Sequence, residues 1–270
     1  VEGKDTVIIH SYVTDGFYDF AVTLIESFKN KHGEDMPFLL HGKELSNEQI
    51  EGLYKRYKNL TIKNSEIDWV WLERMSKMSK KQLLQGKHQV EHLGNRYMSK
   101  QFYHWKHYIS IYSRYRDAIA EAFEFAGEGE HILHLDIDLY INRDLTPIFN
   151  LIEMSDVAIM LRPQLSPEWR KVYGCILGFT VNDRSRKFIK KVRTHIHAKD
   201  FINIPKGYGQ IVFWRAWQDF RKTKEIKFAK IPETWIDKGF GNKALILSAN
   251  NGLKKHQTKE KYHNLRKAGR

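Results

Sequence analysis

His131-Ile-Leu-His-Leu-Asp136-Ile-Asp138-Leu-Tyr-Ile-Asn-Arg-Asp144-Leu-Thr-Pro-Ile-Phe149 is the stretch whose reading decides the fold. An apolar lead-in runs into two aspartates spaced two apart, and strand alternation would put both on one face of a strand from His131 to Ile141. Open α/β sheets bind ligands at the carboxyl ends of their strands, where this pair stands. Two adjacent carboxylates repel each other unless a cation lies between them. A hard divalent ion with oxygen ligands, Mg²⁺ or Mn²⁺, meets that need and bridges onward to a phosphate-bearing substrate. Beyond the pair, Asp144-Leu-Thr-Pro147 predicts a short helix to about Ile152.

Upstream, the pattern alternates strand and helix. Thr6 to Tyr12 is short, β-branched and apolar, as a buried parallel strand is. Tyr18, Ala21, Ile25 and Phe28 form one helical face that ends before Gly33. Pro37 to His41 reads as a second strand, and Ser46 to about Tyr57 as a helix with a Ser46/Gln49 capping box. Leu60 to Lys63 makes a third strand. This β-α-β-α-β order opens a doubly wound sheet. The polar, Lys- and Met-bearing stretch 64–99 reads as an insertion, and the periodic aromatics from Ser99 to Ala126 predict one long helix. Downstream, 157–161 and 175–181 read as strands, and 184–197 and 209–220 as helices. The expected architecture is α/β, a mixed, mainly parallel sheet flanked by helices in a single domain over 1–252. Residues 1–141 form its nucleotide-binding half and 142–252 its acceptor half, with a basic tail over 253–270.

The motif hLDxDxxxxxDLxxxF, carried here by Asp136, Asp138, Asp144 and Phe149, resembles the metal-binding strand of GT-A-fold, nucleotide-sugar-dependent glycosyltransferases. The nearest types are glycogenin and the bacterial lipooligosaccharide galactosyltransferases. The resemblance implies that Asp138 is a direct metal ligand and that Asp136 contacts both metal and sugar nucleotide. Ser11, Tyr12 and Asp15 would meet the nucleotide base, Tyr12 by stacking. Tyr112-Ser-Arg114 is similar to a Tyr-x-Arg whose arginine helps hold the donor. Tyr208-Gly-Gln210 resembles an Asp-Gln pair in which the glutamine lies near the reacting sugar carbon, with Gly209 in place of the acid. Gly252 and Lys255 keep a Gly-x-x-Lys spacing that makes Lys255 a pyrophosphate contact. The histidine that the family places before that glycine is absent. Asn250 or His256 could take its position as third metal ligand, or the diphosphate and water could complete the shell.

These parts imply a transferase that moves a sugar from a nucleoside diphosphate sugar, a UDP-sugar before others, to a glycan, lipid-linked or protein acceptor. A cation and a lysine would stabilise charge on the leaving diphosphate. An inverting reaction requires a carboxylate base, for which Glu233 and Asp237 are the candidates. A retaining one would instead line the reacting face with Gln210, and the resemblance leans that way.

Charge sets the remaining expectations. The 270 residues carry 45 Lys or Arg against 32 Asp or Glu, a formal net charge of +13. A nucleotide and its metal neutralise only part of this. The basic stretch 253–270 and the segment Arg215 to Lys230 point to a second anionic contact, a membrane surface or a charged or lipid-linked acceptor. Lys63 to Arg116, with eleven Lys or Arg and nine aromatics, admits a nucleic-acid-binding module as the rival reading. It contains no recognised nucleic-acid motif. A phosphatase built on an apolar strand and D-x-D would carry its motif near the start of the chain. The single cysteine, Cys175, excludes an intramolecular disulfide and suits a reducing, cytoplasmic setting, peripheral to a membrane. The start, VEGKDTVIIHSYV, lacks the basic region and long apolar block of a signal peptide.

Overall fold

The computed structural model describes residues 6–66, 87–90, 101–104, 118–166, 168–195, 208–237, 243–248 and 260–265. Its strands and helices follow in chain order. They are β1 (Val7–Thr14), α1 (Tyr18–His32), β2 (Phe38–Lys43), α2 (Asn47–Tyr54), β3 (Leu60–Ser65), β4 (Lys87–Val90), β5 (Gln101–His104) and α3 (Ile119–Phe125). Then come β6 (His131–Leu135), β7 (Leu139–Ile141), α4 (Thr146–Glu153), β8 (Val157–Leu161), β9 (Val172–Thr180), α5 (Asp183–Thr194) and α6 (Tyr208–Phe220). The last elements are β10 (Phe228–Lys230), β11 (Ile236–Asp237), β12 (Ile246–Ser248) and a helical turn, α7, over 260–265.

Seven strands form the main sheet in the order β10-β8-β9-β6-β1-β2-β3. All its pairs are parallel except those of β9, which runs antiparallel to both β6 and β8. Strand alternation sorts the core into two faces. Ile9, Val13, Leu40, Leu133 and Leu135 pack under α1, α4 and the chain's C-terminal elements. Ile8, Leu39, Ile132 and Phe179 pack under α3, α5 and α6. A sheet covered on both faces explains why its strands read as nearly continuous apolar runs. Gly178 on β9 is needed because a side chain there would collide with Ile152 of α4 and press on Ala158, at 3.1 Å.

The capping box forms as the sequence predicts: Gln49 N–H donates to Ser46 Oγ at 3.2 Å and Ser46 N–H to Gln49 Oε1 at 2.9 Å. Two expectations need correction. The long helix from Ser99 does not hold at 101–104, which is strand, paired antiparallel with 87–90. Gln-Phe-Tyr-His suits a pleated surface as well as a helix face, and periodicity alone does not separate the two. Residues 105–117 lie outside the described residues, and helix resumes at Ile119. The basic stretch from 253 is not simply a tail: Tyr262 in α7 is buried to 1% exposure. Among the described residues, no helix is long and apolar enough to cross a membrane.

Candidate active site

The parallel strands β1, β2, β6 and β8 all end at one edge, where antiparallel β9 begins. β6 stops at Leu135 instead of continuing to Ile141. Asp136 N–H donates to Cys175 O at 2.8 Å, and Leu139 N–H donates to Asp136 O at 3.3 Å, so Asp136-Ile137-Asp138 is a turn. After it, β7 leaves the main sheet and pairs antiparallel with β12 in a three-stranded sheet with β11. The two acids therefore share an edge by turn geometry rather than by strand alternation. Ile137 is buried between them, while Asp136 and Asp138 are each half-buried.

Two tyrosines outside the predicted site residues stand by this turn, and one of them is bonded to it. Tyr262 donates its hydroxyl hydrogen to Asp138 O at 2.8 Å and lies 3.3 Å from Leu247 O. Its ring stacks on Tyr140 at 5.6 Å and meets Phe20 edge-on at 6.2 Å. On the other side, buried Tyr173 shares a 3.0 Å hydrogen bond with Ser248 Oγ, and the Arg162 guanidinium lies 4.7 Å over its ring. Burial pushes the Tyr173 phenol far above its ordinary range, with further pushes from Cys175 and from Asp138. It is a neutral hydroxyl beside the aspartate turn. Arg162 follows the last residue of β8, so a cation stands at the same strand-end edge as the two acids.

The other predicted site residues divide. Ser11 is fully buried and donates its hydroxyl to Leu135 O at 2.7 Å, so that hydrogen ties β1 to β6 rather than reaching a base. Tyr12 is buried to 5% exposure, which leaves little ring for stacking. Asp15 is half-buried in the 3-10 turn that follows β1, at the strand-end edge. Gln210 lies in the first turn of α6; one turn later the Trp214 ring sits 4.9 Å from Lys171 Nζ, just before β9. The head of α6 is thereby held towards the same edge. Glu233 is exposed on the 3-10 turn after β10, and Asp237 is half-buried on β11 in the small sheet that contains Ser248. Arg114, Asn250, Lys255 and His256 lie outside the described residues.

No family model matches the sequence, and no curated protein is recognisably similar to it. Solved structures are similar in fold. The galactosyltransferase LgtC, in complex with donor and acceptor sugar analogues, aligns over 97% of this chain and 95% of its own, with TM-score 0.61 and 10% identity. The fold is that of the GT-A glycosyltransferases. Streptococcus pneumoniae TIGR4 glycosyltransferase GlyE aligns over 96% of this chain and 60% of its own, with TM-score 0.53 and 13% identity. Mouse xyloside xylosyltransferase 1 aligns over 91% and 98%, with TM-score 0.50 and 10% identity.

Within this GT-A sheet a row of histidines crosses β6, β1 and β2 on the face covered by α3. His134 Nδ1 lies 2.9 Å from His10 Nδ1, His10 Nε2 lies 2.9 Å from His41 Nδ1, and His41 Nε2 lies 2.8 Å from Glu121 Oε2. A carboxylate can only accept, so neutral His41 carries its proton on Nε2 and accepts on Nδ1. That assigns the His10 proton to Nε2 and the His134 proton to Nδ1. Burial holds His41 below its ordinary pKa, with Glu121 partly offsetting, and burial likewise lowers His32 against the pull of Asp144. A histidine depressed in the folded state contributes stability that is full above its unfolded pKa, near 6.5, and lost as pH falls through the folded value. The melting temperature is therefore expected to fall between pH 7.5 and pH 5.5, measured by calorimetry. His41→Gln, which removes one titrating group, should flatten that slope.

Proposed function

We propose that the chain is a metal-dependent glycosyltransferase, moving a sugar from a nucleoside diphosphate sugar, a UDP-sugar before others, to a glycan, lipid-linked or protein acceptor with retention of configuration. The observation that carries the reading is the half-buried Asp136-Ile137-Asp138 turn at the strand-end edge of a GT-A sheet. The match to LgtC with donor and acceptor sugar analogues supports it, as does a matched LgtC structure whose active-site mutation replaces a glutamine by glutamate.

The donor set fits a hard cation. Both groups at the turn are carboxylates, and an oxygen-ligated Mg²⁺ or Mn²⁺ takes such ligands together with substrate phosphates and water. Among the described residues, no group of three His, Cys, Asp or Glu side chains forms a metal cluster. Asp136 and Asp138 would thus hold the ion with oxygens of the diphosphate, and Asn250 or His256 would be the chain's own further ligands. When bound, the ion would neutralise charge on the departing diphosphate. Arg162, at the same edge, adds a fixed positive charge, and Lys255 is the candidate second cation for the phosphates. In a retaining transfer Gln210 would face the sugar carbon and no protein base is needed. Glu233 or Asp237 would serve only an inverting one.

Thermal-shift titration with UDP, GDP, dTDP and CMP, with and without Mn²⁺, tests the reading. A nucleotide that binds the folded chain at a hundredfold over its dissociation constant stabilises it by about 2.7 kcal/mol. The expected result is a rise in melting temperature with UDP that needs the metal. If no nucleotide shifts the transition with Mn²⁺ present, the proposal fails.

A further inference from the structure

The surface opposite the aspartate turn has its own chemistry. α5 turns Phe188, Ile189 and Val192 inwards and leaves Arg184, Lys187, Lys190 and Arg193 exposed, spaced three apart along its outer face. The turn after α6 packs beside it: Lys187 pairs with Glu225, Lys191 Nζ lies 3.3 Å from Asp219, and Phe188 meets Phe220 and Phe228. Residues 183–194 and 219–227 together hold ten Lys or Arg against three acids, a net +7 of the chain's +13 in 21 residues. The remaining +6 equals the net charge of the stretch 253–270, so this surface is one of two places that carry the surplus. Lys190, Arg193, Arg221, Lys222, Lys224 and Lys227 form no ion pair among the described residues. Like charges three and four apart on a helix repel, so this stripe gains from an external anion.

Apolar side chains stand next to the charge. The carboxylate of buried Asp156, just before β8, draws the elements together: it accepts from Asn182 Nδ2 at 2.8 Å and Lys227 N–H at 2.7 Å, and pairs with Arg184 Nε at 3.3 Å. Met154, two residues before it, is 58% exposed. Phe125, at the end of α3 and before β6, is 40% exposed, and α3 is held to α5 by Arg186 Nη1 donating to Phe123 O at 3.3 Å. Both apolar residues thus lie at the edge where β6, β8 and β10 begin, beside the exposed cations and opposite the aspartate turn. A single-stranded nucleic acid needs several exposed aromatic rings for its bases, and among the described residues this surface offers one, Phe125. A bilayer interface takes both a phenyl and a thioether between basic headgroup contacts.

We propose that the outer face of α5, the 221–227 turn and the apolar pair Phe125 and Met154 form a docking surface for an anionic lipid membrane, distinct from the basic stretch 253–270. The inference stands apart from the sugar-transfer reading and has a separate test. Sedimentation with phosphatidylcholine vesicles, with and without about a third phosphatidylglycerol, reads the partition coefficient. The expected result is binding to the anionic vesicles alone, weakened by salt. It should fall at least about tenfold in the Lys190→Glu, Arg193→Glu, Lys222→Glu, Lys224→Glu variant, with the melting temperature kept. Phe125→Ser with Met154→Ser should weaken what binding survives in high salt. No vesicle binding by the parent chain overturns the proposal, as does a quadruple variant that binds like the parent. An oligonucleotide bound in preference to vesicles, and released by the same variant, overturns it in favour of nucleic acid.

Discussion

Replacing Asp138 by Asn is expected to lower sugar transfer by about 10³-fold or more while leaving the melting temperature of the free chain within about 1 °C. The expected loss comes from charge. An amide keeps the size of the side chain but removes the anion that would hold the divalent cation, and with it the stabilisation of the leaving diphosphate. The fold should tolerate the change because the bond from Tyr262 is accepted by the main-chain oxygen of Asp138, not by its carboxylate. The metal-dependent thermal shift with UDP should disappear in the same variant. Asp136→Asn should act in the same direction, since the turn geometry also fixes that residue through its main chain, by the bond from Asp136 N–H to Cys175 O. An Asp138→Asn protein that retains transfer within about tenfold of the parent would remove the aspartate turn from the mechanism.

The pattern of what could be read beforehand follows from where the physical determinants lie. β1, α1, β2, α2 and β3 are specified by short-range features, namely periodicity, the Ser46 capping box and Gly33, and they form close to where the sequence puts them. The D-x-D pair was legible as residues but not as geometry. Only the long-range pairing of β7 with β12 shows that the strand must break at Leu135 and turn. Ser11 illustrates the same limit: a serine on a strand reads as a ligand contact, yet its hydroxyl bridges to Leu135, 124 residues away. The histidine row is invisible to any local reading, because His10, His41 and His134 are brought together solely by the strand order β6-β1-β2. Net charge and the segment Arg215 to Lys230 point to an anionic contact, but no local reading brings α5 beside that segment. The juxtaposition of α5 with the turn after α6 concentrates part of that charge.

Tyr262 gives the second large effect. Tyr262→Ala is expected to destabilise the chain by about 3–5 kcal/mol, the range for truncating a large buried aromatic, and to lower the melting temperature by on the order of 10 °C. A run of seven Lys or Arg in 18 residues suggests a solvated tail, yet Tyr262 and the partly buried Leu265, three apart, give α7 one apolar side. That side closes the core over Phe20 and Tyr140, and the hydroxyl reaches the turn that bears the two acids. Tyr262→Phe separates the two contributions. It keeps the ring contacts and gives up one hydrogen bond, so its stability cost should be about 1 kcal/mol. Its effect on transfer should exceed what that loss explains, because the carbonyl of Asp138 is no longer pinned and the carboxylate next to it is less well placed. Urea denaturation alongside initial-rate measurements on both variants distinguishes these outcomes. Equal, negligible effects of Tyr262→Ala and Tyr262→Phe on stability would mean that α7 does not close the core. A Tyr262→Phe protein with unchanged transfer would mean that the turn holds its geometry without the hydroxyl.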